Sequence, residues 1–161
     1  MKNKVSKLSA LFVCLFGLQV TPLLAASESA VASTMTVYKS PTCGCCTKWV
    51  NHIETNGFKI KTVELNDLLS IKTNFNIQAN TRSCHTGVVN RIEGDYVFEG
   101  HVPAKYVEMF LNNPPEDTFG LSVPGMPAGS PGMEVGERKD YYQVLLLNND
   151  GSNSIYAHVN Q

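Results

Sequence analysis

Three cysteines fall within four residues, Cys43-Gly44-Cys45-Cys46, at the joint between a strand-like and a helix-like segment. Ahead of them, Thr34-Met35-Thr36-Val37-Tyr38 is rich in β-branched residues and predicts a short strand. Lys39-Ser40-Pro41-Thr42 closes it, because Pro41 limits further ladder bonding. Behind them, Cys46, Trp49, Val50 and Ile53 recur at i, i+3, i+4 and i+7, the apolar stripe of an amphipathic helix, which Gly57 after Asn56 terminates. A strand that turns directly into such a helix needs a second, parallel strand to pack the helix against, and this sets an α/β layered class.

The rest of the chain follows that lead. Phe58 to Leu65 predicts the second strand, with Phe58, Ile60 and Val63 inward. Asn66 or Asp67 can cap a short helix through Leu68, Leu69, Ile71 and Lys72. Thr86 to Ile92, a tight turn at Glu93-Gly94-Asp95, and Tyr96 to Glu99 predict a hairpin. Pro103 suits the first turn of a helix whose Ala104, Val107, Phe110 and Leu111 share one side, ending at Asn112-Asn113-Pro114-Pro115. The order β-α-β-α-β-β-α is that of the thioredoxin fold. From Glu116 to Lys139 glycine, proline and methionine accumulate without clear periodicity, which predicts a loop that something else must hold. Tyr141 to Leu147 and Ser154 to Val159 then predict a terminal hairpin around Asp150-Gly151.

The first residues govern how the cysteines are read. Lys2, Lys4 and Lys7 precede an uncharged apolar run from Leu8 to Ala26, and small residues follow. That is the layout of a secretory signal peptide. Retention as a membrane anchor is the rival, but Gln19 and Pro22 interrupt the run, leaving it short of the roughly 20 apolar residues a span needs. Ala25, Ser27 and Ala32 are each possible cleavage points, with Ala30-Val31-Ala32 the best fit; Cys14 leaves with the signal. The expected organisation is therefore a signal in 1–32, a thioredoxin-like domain in 33–113 and a C-terminal extension in 114–161 packed on it. The signal holds three of the 13 basic residues and one of the 14 acidic ones, so the remainder is net acidic. With no basic face, nucleic acid is an unsuitable partner, and nothing later is apolar enough to re-enter a membrane. A periplasmic monomer is expected.

In an oxidising compartment Cys43, Cys45, Cys46 and Cys84 would ordinarily pair as two structural disulfides. Three within four residues is poor spacing for stapling a fold. A thiol at a helix N-terminus instead feels the positive end of the dipole and unpaired N–H groups, which favour thiolate. Cys43 and Cys46 have C-x-x-C redox spacing. Cys45 between them would compete for the disulfide partner, yet for a metal it is an asset, since clustered thiolates suit Cu(I) or zinc and soft sulfur favours Cu(I).

Other soft or basic donors are spread along the chain. Cys84-His85 precedes the third strand, at the point that faces the cysteine turn in thioredoxin-like folds, and no proline occurs in Arg82 to Thr86. The pair can complete a metal site, or Cys84 can form a disulfide with one of the other three. His101 follows Gly100 at a strand end and is a further candidate; His52 is out of phase with the apolar stripe and expected to face solvent; His158 has no local argument. Met126 and Met133 sit in two Pro-Gly-Met turns seven residues apart, where a thioether is either a soft ligand or a filler of apolar gaps.

Cys43-Gly44-Cys45-Cys46, Ser83-Cys84-His85-Thr86, Glu99-Gly100-His101-Val102-Pro103-Ala104 and the turns Val123 to Pro127 and Ser130 to Glu134 together resemble the CopG-type copper-resistance proteins. That family has also been described as a domain-of-unknown-function group of metal-binding proteins. The resemblance covers nearly all of the chain beyond the signal. It implies a thioredoxin domain whose C-terminal extension helps bind metal, and a cysteine-bridged cluster of several copper ions beside the C-x-C-C turn. It also implies a role in interconverting Cu(I) and Cu(II) for detoxification and efflux. Cys43, Cys45 and Cys46 carry over as ligands, while Cys84, His85, His101, Met126 and Met133 match family motifs without individual assignments.

The resulting expectation is a copper oxidoreductase with Cys43 and Cys46 as its redox pair, working with copper-efflux components or an electron-transfer partner. A thiol–disulfide oxidoreductase using the same two cysteines and a non-enzymatic Cu(I) chaperone or sponge remain alternatives, and zinc is a weaker rival for the metal.

Overall fold

The computed structural model describes residues 34–160; the signal-peptide reading of 1–32 lies outside them. Seven strands form a single mixed sheet in the order β2-β1-β3-β4-β5-β6-β7. They are β1 (Thr34–Lys39), β2 (Lys59–Glu64), β3 (His85–Arg91), β4 (Gly94–Gly100), β5 (Thr118–Val123), β6 (Tyr142–Asn148) and β7 (Asn153–Val159). Helix α1 (Gly44–Thr55) connects β1 to its parallel neighbour β2, α2 (Leu69–Asn74) and a short 3-10 turn (Ala79–Thr81) lead into β3, and α3 (Ala104–Asn112) connects β4 to its parallel neighbour β5. The remaining pairings are antiparallel. The class is mixed α/β, as the alternation of periods predicts.

The two faces of the sheet have different chemistry. Strand alternation sends Met35, Val37, Val89, Phe98, Leu121, Val123 and Val144 to one face, where Trp49 and Ile53 of α1 and Val107 and Phe110 of α3 bury against them. Trp49 is wholly buried and its indole N–H donates to the Val102 carbonyl at 2.8 Å, so its polar edge is satisfied. The opposite face carries buried Thr86, Val88, Val97, Glu99 and Ser122, which the α2 segment covers with Lys72, Ile77 and Thr81. Lys72 is the one buried residue of α2.

One expectation is corrected. The stretch from Glu116 to Lys139 is not all loop: β5 occupies its start and runs between β4 and β6, so β6 and β7 continue the same sheet. Gly120 and Ser122 masked the strand, since neither carries an apolar signal. Gly120 is needed there because a Cβ would stand 1.9 Å from the Val97 carbonyl oxygen, inside any van der Waals contact. From Pro124 to Asp140 the chain is irregular, as predicted.

Phe110 joins the two halves of the sheet, meeting Tyr96 and Phe98 edge to face on one side and Tyr156 of β7 on the other. Replacing Phe110 with Ala should cost about 3–5 kcal/mol through the cavity it leaves. A urea midpoint unchanged from the parent would show that β7 and the core do not depend on this ring.

Candidate metal centre

The cysteine turn lies where β1 ends and α1 begins. Cys43 is the N-cap of α1, and its Sγ accepts the Cys46 N–H at 3.3 Å, satisfying one of the helix's free amides. Cys43 and Cys46 are joined as a disulfide, with Cα atoms 5.3 Å apart, while Cys45 and Cys84 are free thiols, each half-buried. The alternative in which Cys84 bridges to the turn is therefore not the pairing present. Cys45 stands beside the bond, its Sγ 3.5 Å from that of Cys43.

The second arm arrives from the loop before β3. Cys84 Sγ lies with the sulfurs of Cys43, Cys45 and Cys46 in a group whose atoms are all within 4.8 Å of one another, and with His85 and His101 nitrogens in a second such group. Cys84 belongs to both, so the six residues form one continuous patch of soft and borderline donors. His85 Nδ1 is 3.3 Å and His101 Nε2 is 3.2 Å from the Cys84 sulfur. The set fits a soft cation such as copper, with thiolates able to bridge ions and neutral imidazoles at the buried end.

Protonation states follow from burial and partners. Burial pushes the Cys84 thiol up to about 11, and the neighbouring Cys45 charge adds to this. Without metal Cys84 is thus a protonated thiol, and a bound cation would displace that proton. Burial holds His85 well below the usual imidazole range, with His101 and Lys72 acting in the same direction. Its buried Nε2 makes no hydrogen bond, and the Gly100 backbone opposes the downward push. His101 is also lowered by burial, opposed by the Pro131 carbonyl and Glu134. A carbonyl can only accept, so His101 Nδ1 carries the proton it donates to Pro131 at 2.7 Å, leaving the Nε2 lone pair aimed at Cys84.

The second Pro-Gly-Met turn meets the site through its backbone. Pro131 orients His101, and Gly132, at φ +88°, fits so tightly on α1 that a Cβ would stand 2.7 Å from the Cys45 carbonyl. Met133 is half-buried on this turn. Met126 is 53 % exposed and lines a surface cavity of about 430 Å³ with Pro124, Pro127, Tyr141, Tyr142, Gln143 and Leu145. Among the thiol, imidazole and carboxylate groups of the described residues, the close donor atoms here come from cysteine and histidine.

His52 departs from expectation. It is half-buried, and its Nε2 accepts the Ala104 N–H at 3.0 Å, supplying a cap that Pro103 cannot. Sequence periodicity marked it as off the α1 core stripe but gave no sign that α3 would begin beside it. Also missed were Lys72 and Glu99, a buried ion pair behind the Cys84 loop. An acid two residues before a candidate ligand, at the end of the apolar run Tyr96-Val97-Phe98, was the available signal.

The chain is similar to known proteins in both sequence and structure. Residues 81–133, which hold Cys84, His85, His101 and both Pro-Gly-Met turns, match a family described as a protein of unknown function, DUF411. Two solved structures of a copper resistance protein CopG, forms 2 and 1, are similar to the chain. The identities are 39 % and 38 %, each with a TM-score of 0.72, covering 78 % and 79 % of this chain and 97 % of theirs. No curated protein matches the chain.

In the metal-free protein His52, His85 and His101 all sit below their ordinary 6.5. The unfolded chain then binds more protons than the folded one as pH falls through 6.5, so stability should decline from about pH 7.5 to about pH 5.5. His52→Gln, whose amide oxygen can still accept from Ala104, should flatten part of that slope. Urea midpoints that stay level across this window would contradict the assignment.

Proposed function

The chain belongs to the CopG family of copper-resistance proteins, and on that premise we propose that it is a periplasmic copper-binding oxidoreductase that interconverts Cu(I) and Cu(II) at a cysteine-bridged site holding several ions. The observation that carries the reading is the convergence of four cysteine sulfurs within 4.8 Å, with two imidazoles sharing the Cys84 sulfur. Cys43, Cys45, Cys46 and Cys84 would hold copper through thiolate, and His85 and His101 through neutral nitrogen. Met126 and Met133 would contribute thioethers from the extension.

The electron count is simple. Oxidising the Cys43 and Cys46 thiolates to their disulfide releases two electrons, enough to turn two Cu(II) into two Cu(I). A dithiol reductant returning two electrons and two protons would reopen the bond. Closing that bond leaves Cys45 and Cys84 as the thiolate donors, and reopening it restores the full set of four. Copper is here the substrate as well as the ligand-bound ion, and copper-efflux components or an electron carrier are the partners proposed for a monomer.

The β-α-β-α-β-β-α order through Asn112 supports reading 33–113 as the thioredoxin-like domain and 114–161 as its extension. A family of copper-resistance proteins, and a basic-then-apolar start to the sequence, support export with cleavage near residue 32. Among the described residues no helix is long and apolar enough to cross a membrane.

The Cys43–Cys46 disulfide specifically favours a second reading, a thiol–disulfide oxidoreductase acting on proteins. Metal content and free thiols, measured on protein purified without oxygen and loaded with Cu(I), separate the two. Several coppers per chain with no titratable thiol, and loss of most of that copper in Cys45→Ser, is the expected result. Failure to retain copper, with a Cys43–Cys46 disulfide that still cycles, would replace the copper enzyme with the disulfide-exchange enzyme.

A further inference from the structure

A lysine and a glutamate are both removed from solvent behind the Cys84 loop, and neither belongs to the donor cluster. Lys72 Nζ is 2.5 Å from Glu99 Oε1. The same oxygen accepts the Ser83 N–H at 2.5 Å, and Oε2 accepts the Thr86 hydroxyl at 2.7 Å. Lys72 also donates to Thr86 Oγ1 at 3.1 Å. One carboxylate therefore grips the residue before Cys84 and the residue after His85.

Stability alone gives little reason for such a pair. A buried ion pair is commonly no better than apolar side chains of similar volume, because desolvation offsets the attraction. The local design nonetheless centres on it. Lys72 is the buried residue of α2, Leu69 of the same helix is more than half exposed, and Gly100 (φ +73°) approaches Ser83 so closely that a Cβ would stand 2.5 Å from the Ser83 Cβ. The segment Arg82 to Thr86 has no proline to set its backbone.

We propose that Glu99, held by Lys72, is a positioning residue that clamps the Cys84–His85 arm against the cysteine turn. With Ser83 and Thr86 both tied to one carboxylate, the dipeptide between them has its backbone fixed at each end. The Cys84 sulfur and His85 Nδ1 then stay 3.3 Å apart and within reach of Cys45. Pairing with β1 already holds His85 and Thr86, so the Ser83 end is the one that needs the carboxylate, and the Thr86 hydroxyl serves by orienting that carboxylate. Releasing Ser83 lets Cys84 swing away from the turn while the sheet remains paired.

The test uses two variants, Lys72→Met with Glu99→Leu as a volume-matched apolar pair, and Thr86→Val, which removes one tether and keeps the ion pair. Alkylation of the disulfide-containing, metal-free protein, with Cys45 and Cys84 peptides quantified separately by mass spectrometry, reads the arm directly. Cys84 should react several-fold faster relative to Cys45 in either variant; general loosening would speed both thiols together and leave the ratio unchanged. Cu(I) affinity, by competition with a chromophoric chelator, should fall about 10- to 100-fold, the range seen when an outer-shell partner is lost.

The affinity arm rests on the copper reading above, whereas the alkylation ratio does not. Unmodified protein that binds no Cu(I) would sink that reading and leave the ratio to decide the clamp. Thr86→Val with an unchanged ratio would overturn the clamp, whether or not the apolar pair folds.

Discussion

A carboxylate with no route to water must be met by donors, and Glu99 is met by three: an ammonium, a hydroxyl and a backbone N–H. Much of the site's geometry follows from satisfying it. The ammonium brings α2 onto the sheet, the hydroxyl belongs to β3, and the N–H belongs to the loop that carries Cys84. Strand alternation along β4 puts Phe98 into the apolar core and Glu99 on the other face, so a single strand both anchors the helices and organises the polar layer. Past its end, the same strand delivers His101.

The donor cluster is assembled from parts that each have a separate structural reason to be where they are. Cys43 caps a helix; Cys46 is the first buried position of that helix's core stripe; Trp49, one turn on, fastens the Val102 carbonyl next to His101. The Pro131 carbonyl selects the tautomer of His101, and Gly132 lets that turn lie on α1. Burial keeps both imidazoles neutral and Cys84 protonated until a cation displaces its proton. The donors are thus set in place by contacts of the fold itself.

Much of this was legible before any coordinates. The spacing of Cys46, Trp49, Val50 and Ile53 marks α1 and its buried face, and those four are the residues α1 buries. Pro103 with Ala104, Val107, Phe110 and Leu111 marks α3, and Asp-Gly marks the last turn. The strand β5 escaped because its central glycine and serine interrupt an apolar pattern, and their use depends on how close β4 comes. His52 was misplaced for a related reason: a helix wheel reports the burial its own helix arranges, not the start of another helix beside it.

The chemistry of the ligands is local and therefore written in the chain: which residues are thiols, that three share one turn at a helix start, that a Cys-His pair and a later histidine are available. Which of the thiols are paired, which imidazole nitrogen faces sulfur, and where the buried charge goes were decided only by folding. Each depends on contacts between segments far apart in sequence, from Lys72 to Glu99, from His101 to Pro131 and from Cys45 to Cys84, and no local pattern encodes a distance across the sheet.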